Sequence, residues 1–258
     1  MKYQTREIKN FMTNWAKDED QLSWDNSGSQ IEFNEETESV VVGMDLTDEL
    51  VDLAVEKGAK LIITHHPLFF SGVKNIIEDT YTGDNIIKLI KNNISVFSYH
   101  TSMDVAIGGV NYALFDKLSL ENREVLAYDE EKPMGLVGEL NHTHNLGGLL
   151  EGLKDILNLK NIRVYGKNKD EINKIALMGG AGVDFLDDAI RAGADAFITG
   201  DVKYHDGQRA YEKGIILIDI GHFHSEKFII SKIKDELEKE FKDLKVYELM
   251  KSSYELEF

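Results

Sequence analysis

The sequence predicts an α/β protein of two similar lobes, related by a pseudo-twofold duplication, with mixed, mainly parallel sheets flanked by helices. Three observations predict it. Strand-like and helix-like segments alternate along the chain, which is the pattern of parallel strands joined by crossover helices. A helix–glycine–strand unit recurs at an offset of 135 positions, with Asp52, Ala54, Gly58, Ala59, Ile63 and Thr64 matched by Asp187, Ala189, Gly193, Ala194, Ile198 and Thr199. A unit of apolar strand, His, three residues and a carboxylate recurs at an offset of 122, from His100 and Asp104 to His222 and Glu226. Shared turn physics alone could make two helix–Gly–strand units look alike, but the likeness extends to the next strand.

The elements follow in order. Ile8, Phe11, Met12 and Trp15 have helical spacing after Thr5, read as the cap. Trp24 to Gln30 reads as a polar loop. Ser39 to Met44 reads as a strand, Thr47 to Lys57 as a helix closed by Gly58, and Lys60 to Thr64 as a buried strand. Asp84 to Asn92 is helical, Ile94 to Tyr99 a strand, and Asn111 to Leu118 helical. In a less regular stretch, Leu136 to Glu139 reads as a strand, Leu149 to Leu157 as a helix and Ile162 to Tyr165 as a strand; beyond it, strands at Ile175 to Met178, Ala196 to Ile198 and Ile215 to Asp219 alternate with helices at Asp184 to Arg191 and Gln208 to Lys213. A long charged helix from Ser225 to about Leu244 and an edge strand at Val246 to Glu248 complete the pattern. The lobes are thus expected at 1–120 and 175–258, with 121–174 as a connecting segment, the whole forming one compact unit.

Composition narrows the function. The 258 residues carry 29 Lys and Arg against 46 Asp and Glu, a formal net charge of −17. That balance argues against nucleic-acid backbones and anionic membranes as partners. No apolar run reaches membrane-spanning length, and a cytoplasmic location is the default expectation. Cysteine is absent, so any bound metal is held by nitrogen and oxygen.

Four histidines, His65, His66, His100 and His222, stand just past apolar strands at equivalent places. In parallel sheets, functional residues gather at the C-terminal strand ends. If the lobes face each other, their clusters converge into a metal site between the lobes. His65, His66, Asp104, His222 and Glu226 are the expected ligands. Imidazoles and carboxylates suit Zn, Mn, Fe, Co or Ni, and five such ligands suit two ions rather than one. Each piece has a plainer explanation alone: His65-His66 as a solvated loop pair, Asp104 as a turn cap, His222 and Glu226 as a helix-start pair, Asp201 and His205 as surface loop residues. His142 and His144 read as non-functional, and His224 as exposed or peripheral. The Gly179-Gly180-Ala181-Gly182 run after a strand can cradle a phosphate or form a tight turn. It lacks the Lys-Ser/Thr of a P-loop.

Six pieces, in order along the chain, resemble a known family. They are Trp24-Asp25-Asn26-Ser27-Gly28, Ile63-Thr64-His65-His66-Pro67-Leu68, Tyr99-His100-Thr101-x-x-Asp104, Gly179-Gly180-x-Gly182, Ile198-Thr199-Gly200-Asp201-x-x-Tyr204-His205 and Gly221-His222-x-x-Ser225-Glu226. The family is the GTP cyclohydrolase 1 type 2 homologues, or Nif-three-like dinuclear metal proteins, in the form without an inserted domain. The resemblance implies the same five metal ligands, with a carboxylate bridging two ions. It implies that His100 and His205 line the cavity, where they are candidate proton shuttles. It also implies a homohexamer, a trimer of dimers, and opening of the GTP imidazole ring by water. Asp25, Asn26, Gly179, Gly180, Gly182 and Asp201 are the candidate substrate-binding residues. The expected function is a metal-dependent hydrolase acting on a nucleotide or phosphoester. The alternative is a non-enzymatic metal-binding, regulatory or scaffold hexamer.

Overall fold

In the computed structural model, which describes residues 1–252, the chain divides into two compact units. Among the described residues, one comprises 1–106 and 229–252, the other 107–228. Mixed α/β architecture with mainly parallel sheets is observed, as expected.

The first unit is built on a five-stranded sheet. Its order is Lys245–Leu249, Ser39–Gly43, Leu61–Thr64, Ser95–Ser98 and Gly28–Ile31, with the first four parallel and the last antiparallel to its neighbour. Every residue of the Ser39–Gly43, Leu61–Thr64 and Ser95–Ser98 strands is buried, which is why they read as continuous apolar or small-residue runs. Helix Asp48–Glu56 starts on Thr47, whose hydroxyl accepts the Leu50 N–H at 3.2 Å, and packs Leu50, Val51 and Ala54 onto the sheet. Gly43 pairs with Thr64, and Thr64 with Ser98. The chain therefore leaves all three strands along one edge, at Met44-Asp45, His65-His66 and Tyr99-His100.

The second unit carries a six-stranded sheet ordered Glu121–Asp129, Lys132–His144, Ile172–Leu177, Ala196–Thr199, Ile216–Asp219 and Arg163–Tyr165. Its central three strands are parallel, and the strands on either side of them run antiparallel. Leu177 pairs with Ile198, and Thr199 with Asp219. Gly179-Gly180, Gly200-Asp201 and Gly221-His222 thus follow strands that end together. The core under this sheet includes Leu114, Phe115, Leu136, Leu153, Ile175, Ile198 and Ile218.

Several boundaries differ from expectation. Residues 121–174 are not a plain connection: the strands and helix read there, observed as Lys132–His144, Leu146–Leu157 and Arg163–Tyr165, belong with Glu121–Asp129 and the start of Ile172–Leu177 to the second unit. Their hairpin is antiparallel and partly exposed, so it lacks the apolar runs by which buried parallel strands announce themselves. The end of the expected second lobe belongs to the first unit, because Lys245–Leu249 pairs in parallel with Ser39–Gly43. Residues 253–258 of that expected lobe lie outside the described residues. The long terminal helix is two, His222–Glu226 and Phe228–Glu240. Thr5 is not a cap; it is the first residue of helix Thr5–Trp15, and its hydroxyl donates to Phe33 O at 3.0 Å. Glu7 does the capping, accepting the Gln4 N–H at 3.1 Å. Part of the Trp24 to Gln30 loop is strand, Gly28–Ile31.

Asp195 joins two strands of the second unit. Its carboxylate accepts the N–H groups of Asn173 and Lys174 at 3.0 and 3.1 Å, and the Lys169 ammonium lies 3.3 Å away. Burial pushes its pKa up, but these donors outweigh that effect and hold it below the ordinary carboxylate value. A depressed pKa contributes stability that is present above the unfolded-state value and lost as pH falls through the folded-state value. Asp195→Asn is expected to cost about 1 kcal/mol at pH 7, a modest figure because the group is partly exposed. It should also flatten the loss of stability between roughly pH 5 and 3. Urea midpoints measured across that range test this; parallel wild-type and variant curves would refute it.

Candidate metal centre

The first unit's strand edge collects three imidazoles. His65 follows strand Leu61–Thr64 and is 1% exposed; His66 and His100 are half-buried. The His100 ring centroid lies 5.3 Å from that of His65 and 5.6 Å from that of His66. One ring nitrogen from each of the three can be placed within 4.8 Å of the others, a spacing that can hold a metal ion.

Each ring is locked by its Nδ1. His65 Nδ1 lies 2.8 Å from the Tyr99 carbonyl oxygen, His66 Nδ1 2.7 Å from Asp45, and His100 Nδ1 2.8 Å from Asp25. Carbonyl and carboxylate oxygens only accept, so Nδ1 carries the proton in all three. In the neutral ring, Nε2 then holds the lone pair, the state a ligand needs. Asp104, one helical turn after His100, brings Oδ1 to 3.7 Å from His65 Nε2. That is too long for a hydrogen bond and is the spacing of two donors around one ion.

Asp25 anchors this arrangement. Its side chain is fully buried and accepts from the Thr101 N–H at 3.0 Å, the Thr101 hydroxyl at 2.5 Å and the Ser27 hydroxyl at 2.8 Å, besides His100. Burial pushes its pKa up, yet the bonds from His100, Thr101 and Ser27 hold it well below the usual carboxylate range. Asp25 was expected to touch substrate; its hydrogen bonds are spent orienting His100. Asn26 donates to the Phe69 carbonyl at 2.6 Å, tying two loops together.

The second unit repeats the device. His222 Nδ1 lies 2.8 Å from Asp201, and His222 Nε2 lies 3.2 Å from Glu226 Oε2 one helical turn on. With Nδ1–H committed to Asp201, a neutral ring would set a lone pair against a carboxylate oxygen, and Glu226 is only 4% exposed. Such a pair needs a cation, a proton or a metal ion, to be stable. Asp201, also expected at substrate, is held at φ 56° beside His222 and serves as its orienting partner.

The glycines give Glu226 its place. A Cβ on Gly180, whose φ is +63°, would come within 2.3 Å of Glu226 Oε1, and one on Gly200 within 2.7 Å of the His222 backbone nitrogen. In sequence, the run Gly179-Gly180-Ala181-Gly182 is open to two readings, a phosphate cradle or a tight turn. The N–H groups of Gly179, Gly180 and Gly182 are taken by Asn111 Oδ1, Ser225 Oγ and Thr199 Oγ1 at 2.9, 2.8 and 3.0 Å. Gly179 and Gly180 pack closely on Glu226, and Gly182 on Met178 and Thr199. His205 is exposed in the first turn of helix Tyr204–Lys213, its ring against Tyr204. His142 and His144 pack on each other, centroids 4.4 Å apart.

Sequence reading missed Asp45 and Gly200. Asp45 had a signal, as a carboxylate two residues past a buried strand. Gly200 had none, since its need comes from the approach of a distant helix.

The family model Duf34/NIF3 (NGG1p interacting factor 3) matches residues 3–255. A Clostridium perfringens protein named GTP cyclohydrolase 1 type 2 homolog is 37% identical over 218 residues, covering 83% of each chain. A Staphylococcus aureus hypothetical protein of solved structure superposes with a TM-score of 0.92 at 26% identity, covering 99% of both chains. Reduced HcgD from Methanocaldococcus jannaschii gives 0.85 at 27% identity, covering 96% of this chain and 98% of that one. With its pinned histidines and a match along nearly its whole length, the chain belongs to the Duf34/NIF3 family.

Proposed function

We propose that this protein holds two divalent metal ions through His65, His66, Asp104, His222 and Glu226, and that it is a metal-dependent hydrolase acting on a nucleotide or phosphoester. One observation carries the metal reading: His65, His66 and His222 each spend Nδ1–H on a protein oxygen, so each can offer Nε2 as a ligand. The donor set fits the group. Nitrogen and carboxylate oxygen suit Zn, Mn, Fe, Co or Ni, and the buried Glu226, with Oε2 3.2 Å from His222 Nε2, gains from a cation placed beside it. Bound divalent ions act as Lewis acids and lower the pKa of water towards ~7.

The chain's own residues do the rest. Asp45, Asp201 and the Tyr99 carbonyl hold three rings in register. Asp25 holds His100 in the Nδ1–H tautomer, which leaves Nε2 to accept a proton and return it to a leaving group. His205 is a second candidate for proton transfer. The family resemblance supports a homohexamer, and the absence of any helix long and apolar enough to cross a membrane among the described residues supports a cytoplasmic location. A second reading, metal carriage without catalysis, is favoured by the −17 net charge, which repels anionic substrates, and by the occupied glycine N–H groups.

Metal analysis of the purified chain is expected to give two divalent ions per chain. Glu226→Gln should lose at least one while keeping the fold. Metal-free wild type, purified from metal-replete medium and still folded, would sink the proposal. Gly180→Ala, which pushes a methyl group into the Glu226 carboxylate, should weaken metal affinity roughly 10–100-fold in a competitive chelator titration. In a screen of nucleotides and phosphoesters, His100→Asn should keep both ions and lose about 10²–10⁴-fold in turnover. Two bound ions with no turnover on any substrate would favour carriage.

A further inference from the structure

The second unit contains an aliphatic cavity that the metal reading leaves unused. It has a volume of about 270 Å³ and lies between helix Leu146–Leu157 and the sheet. Ile175 and Ile198, on two of the central strands, line it together with Leu120, Leu140 and Leu153. No Phe, Tyr, Trp, Asp, Glu, Lys or Arg lines it, and neither does any residue of the metal centre. Its polar groups are Ser119, Asn141, His142 and His144. An apolar cavity of ~150 Å³ already excludes water and takes a benzene-sized molecule.

The helix leaves this space open by what it places beside its buried row. Leu149, Leu153 and Leu157 recur every four residues and are buried. Gly148, Gly152 and Ile156 form the adjoining row, and Ile156 is 44% exposed. Glycine in a helix interior costs stability and is explained where a neighbour comes too close for a side chain or where φ is positive. Neither holds for Gly152, which sits in regular helix and where a Cβ would meet no atom within 4 Å. An apolar side chain there would strengthen the helix and take up part of the cavity. The sequence forgoes both gains, and the space stays free.

The polar lining indicates what kind of head group accompanies an apolar body. A strand points alternate residues to one face, so His142 and His144 stand side by side on Lys132–His144, ring centroids 4.4 Å apart. Unlike the four histidines at the strand ends, neither makes a hydrogen bond among the described residues. A neutral imidazole has one N–H donor. Two such donors beside a cavity without Asp or Glu suit an anionic acceptor, and an ammonium would meet no carboxylate. We infer that this cavity binds a small aliphatic carboxylate, its chain against the Leu and Ile walls and its head on His142 and His144. Such a ligand differs in class from the nucleotide or phosphoester of the metal centre, whose phosphates would find no Lys or Arg here.

The test is calorimetric titration of the intact, metal-loaded protein with octanoate, octylamine and acetate. Octanoate should bind, one per chain, at least roughly tenfold more tightly than octylamine, and acetate, which lacks the chain, should give no measurable heat. Gly152→Leu should abolish octanoate binding while raising the thermal midpoint by roughly 2–4 °C, so that the loss is not one of folding. The double variant His142→Ala, His144→Ala leaves the apolar walls untouched and should weaken octanoate roughly 10–100-fold. Metal content should be the same in every sample, which separates this inference from the metal assignment. A wild type that does not bind octanoate would overturn it, and so would octylamine binding as tightly as octanoate. Octanoate affinity left intact by Gly152→Leu or by the double variant would overturn it as well.

Discussion

The site depends on the register of parallel strands. In each unit, three adjacent strands run the same way and stop together, so the residues just beyond them share one edge of the sheet. Backbone hydrogen bonding, satisfied inside the sheet, ends at that edge, and polar side chains can stand there without breaking a ladder. His65, His66 and His100 in one unit, and Asp201 and His222 in the other, occupy such positions. Buried strands of Val, Ile and Phe make the register rigid: a one-residue slip would turn apolar side chains to the wrong face.

On that platform the histidines are not merely present but oriented. Four rings are each held through Nδ1, three by carboxylates and one by a carbonyl. An imidazole free to rotate and change tautomer would lose entropy on binding an ion; a pinned ring has lost it already. The same logic explains the glycines. Gly179, Gly180 and Gly200 let backbone and carboxylate approach at distances that any side chain would prevent. Asp201 tolerates a left-handed backbone conformation for the same end. Local conformational cost is accepted where it positions Glu226 and His222.

Much of this was legible in the residues. Buried parallel strands announce themselves as apolar runs, so Ser39–Gly43, Leu61–Thr64 and Ala196–Thr199 were found within a residue or so. His65-His66 and His222 were legible because polar residues directly after such runs have few purely structural uses. Of the antiparallel hairpin Glu121–His144 only Leu136 to Glu139 was, since the alternation of the rest is blurred by exposure on both faces and by a register shift. The roles of Asp25, Asp201 and the glycine run were not. A carboxylate beside a site reads the same in sequence whether it faces a ligand or a histidine. An N–H donor looks available until its acceptor, here a side chain 17 to 68 positions away, is seen.

Sequence alone determined the class of the fold, the strand ends that carry chemistry, and the exclusion of sulfur ligands, because these follow from local periodicity and composition. Tertiary structure decided which nitrogen of each histidine presents its lone pair, which carboxylates orient and which face the rings, and to which unit the last strand returns. Those outcomes depend on pairings between residues far apart in the chain, and no local pattern encodes a partner that only folding brings within hydrogen-bonding reach.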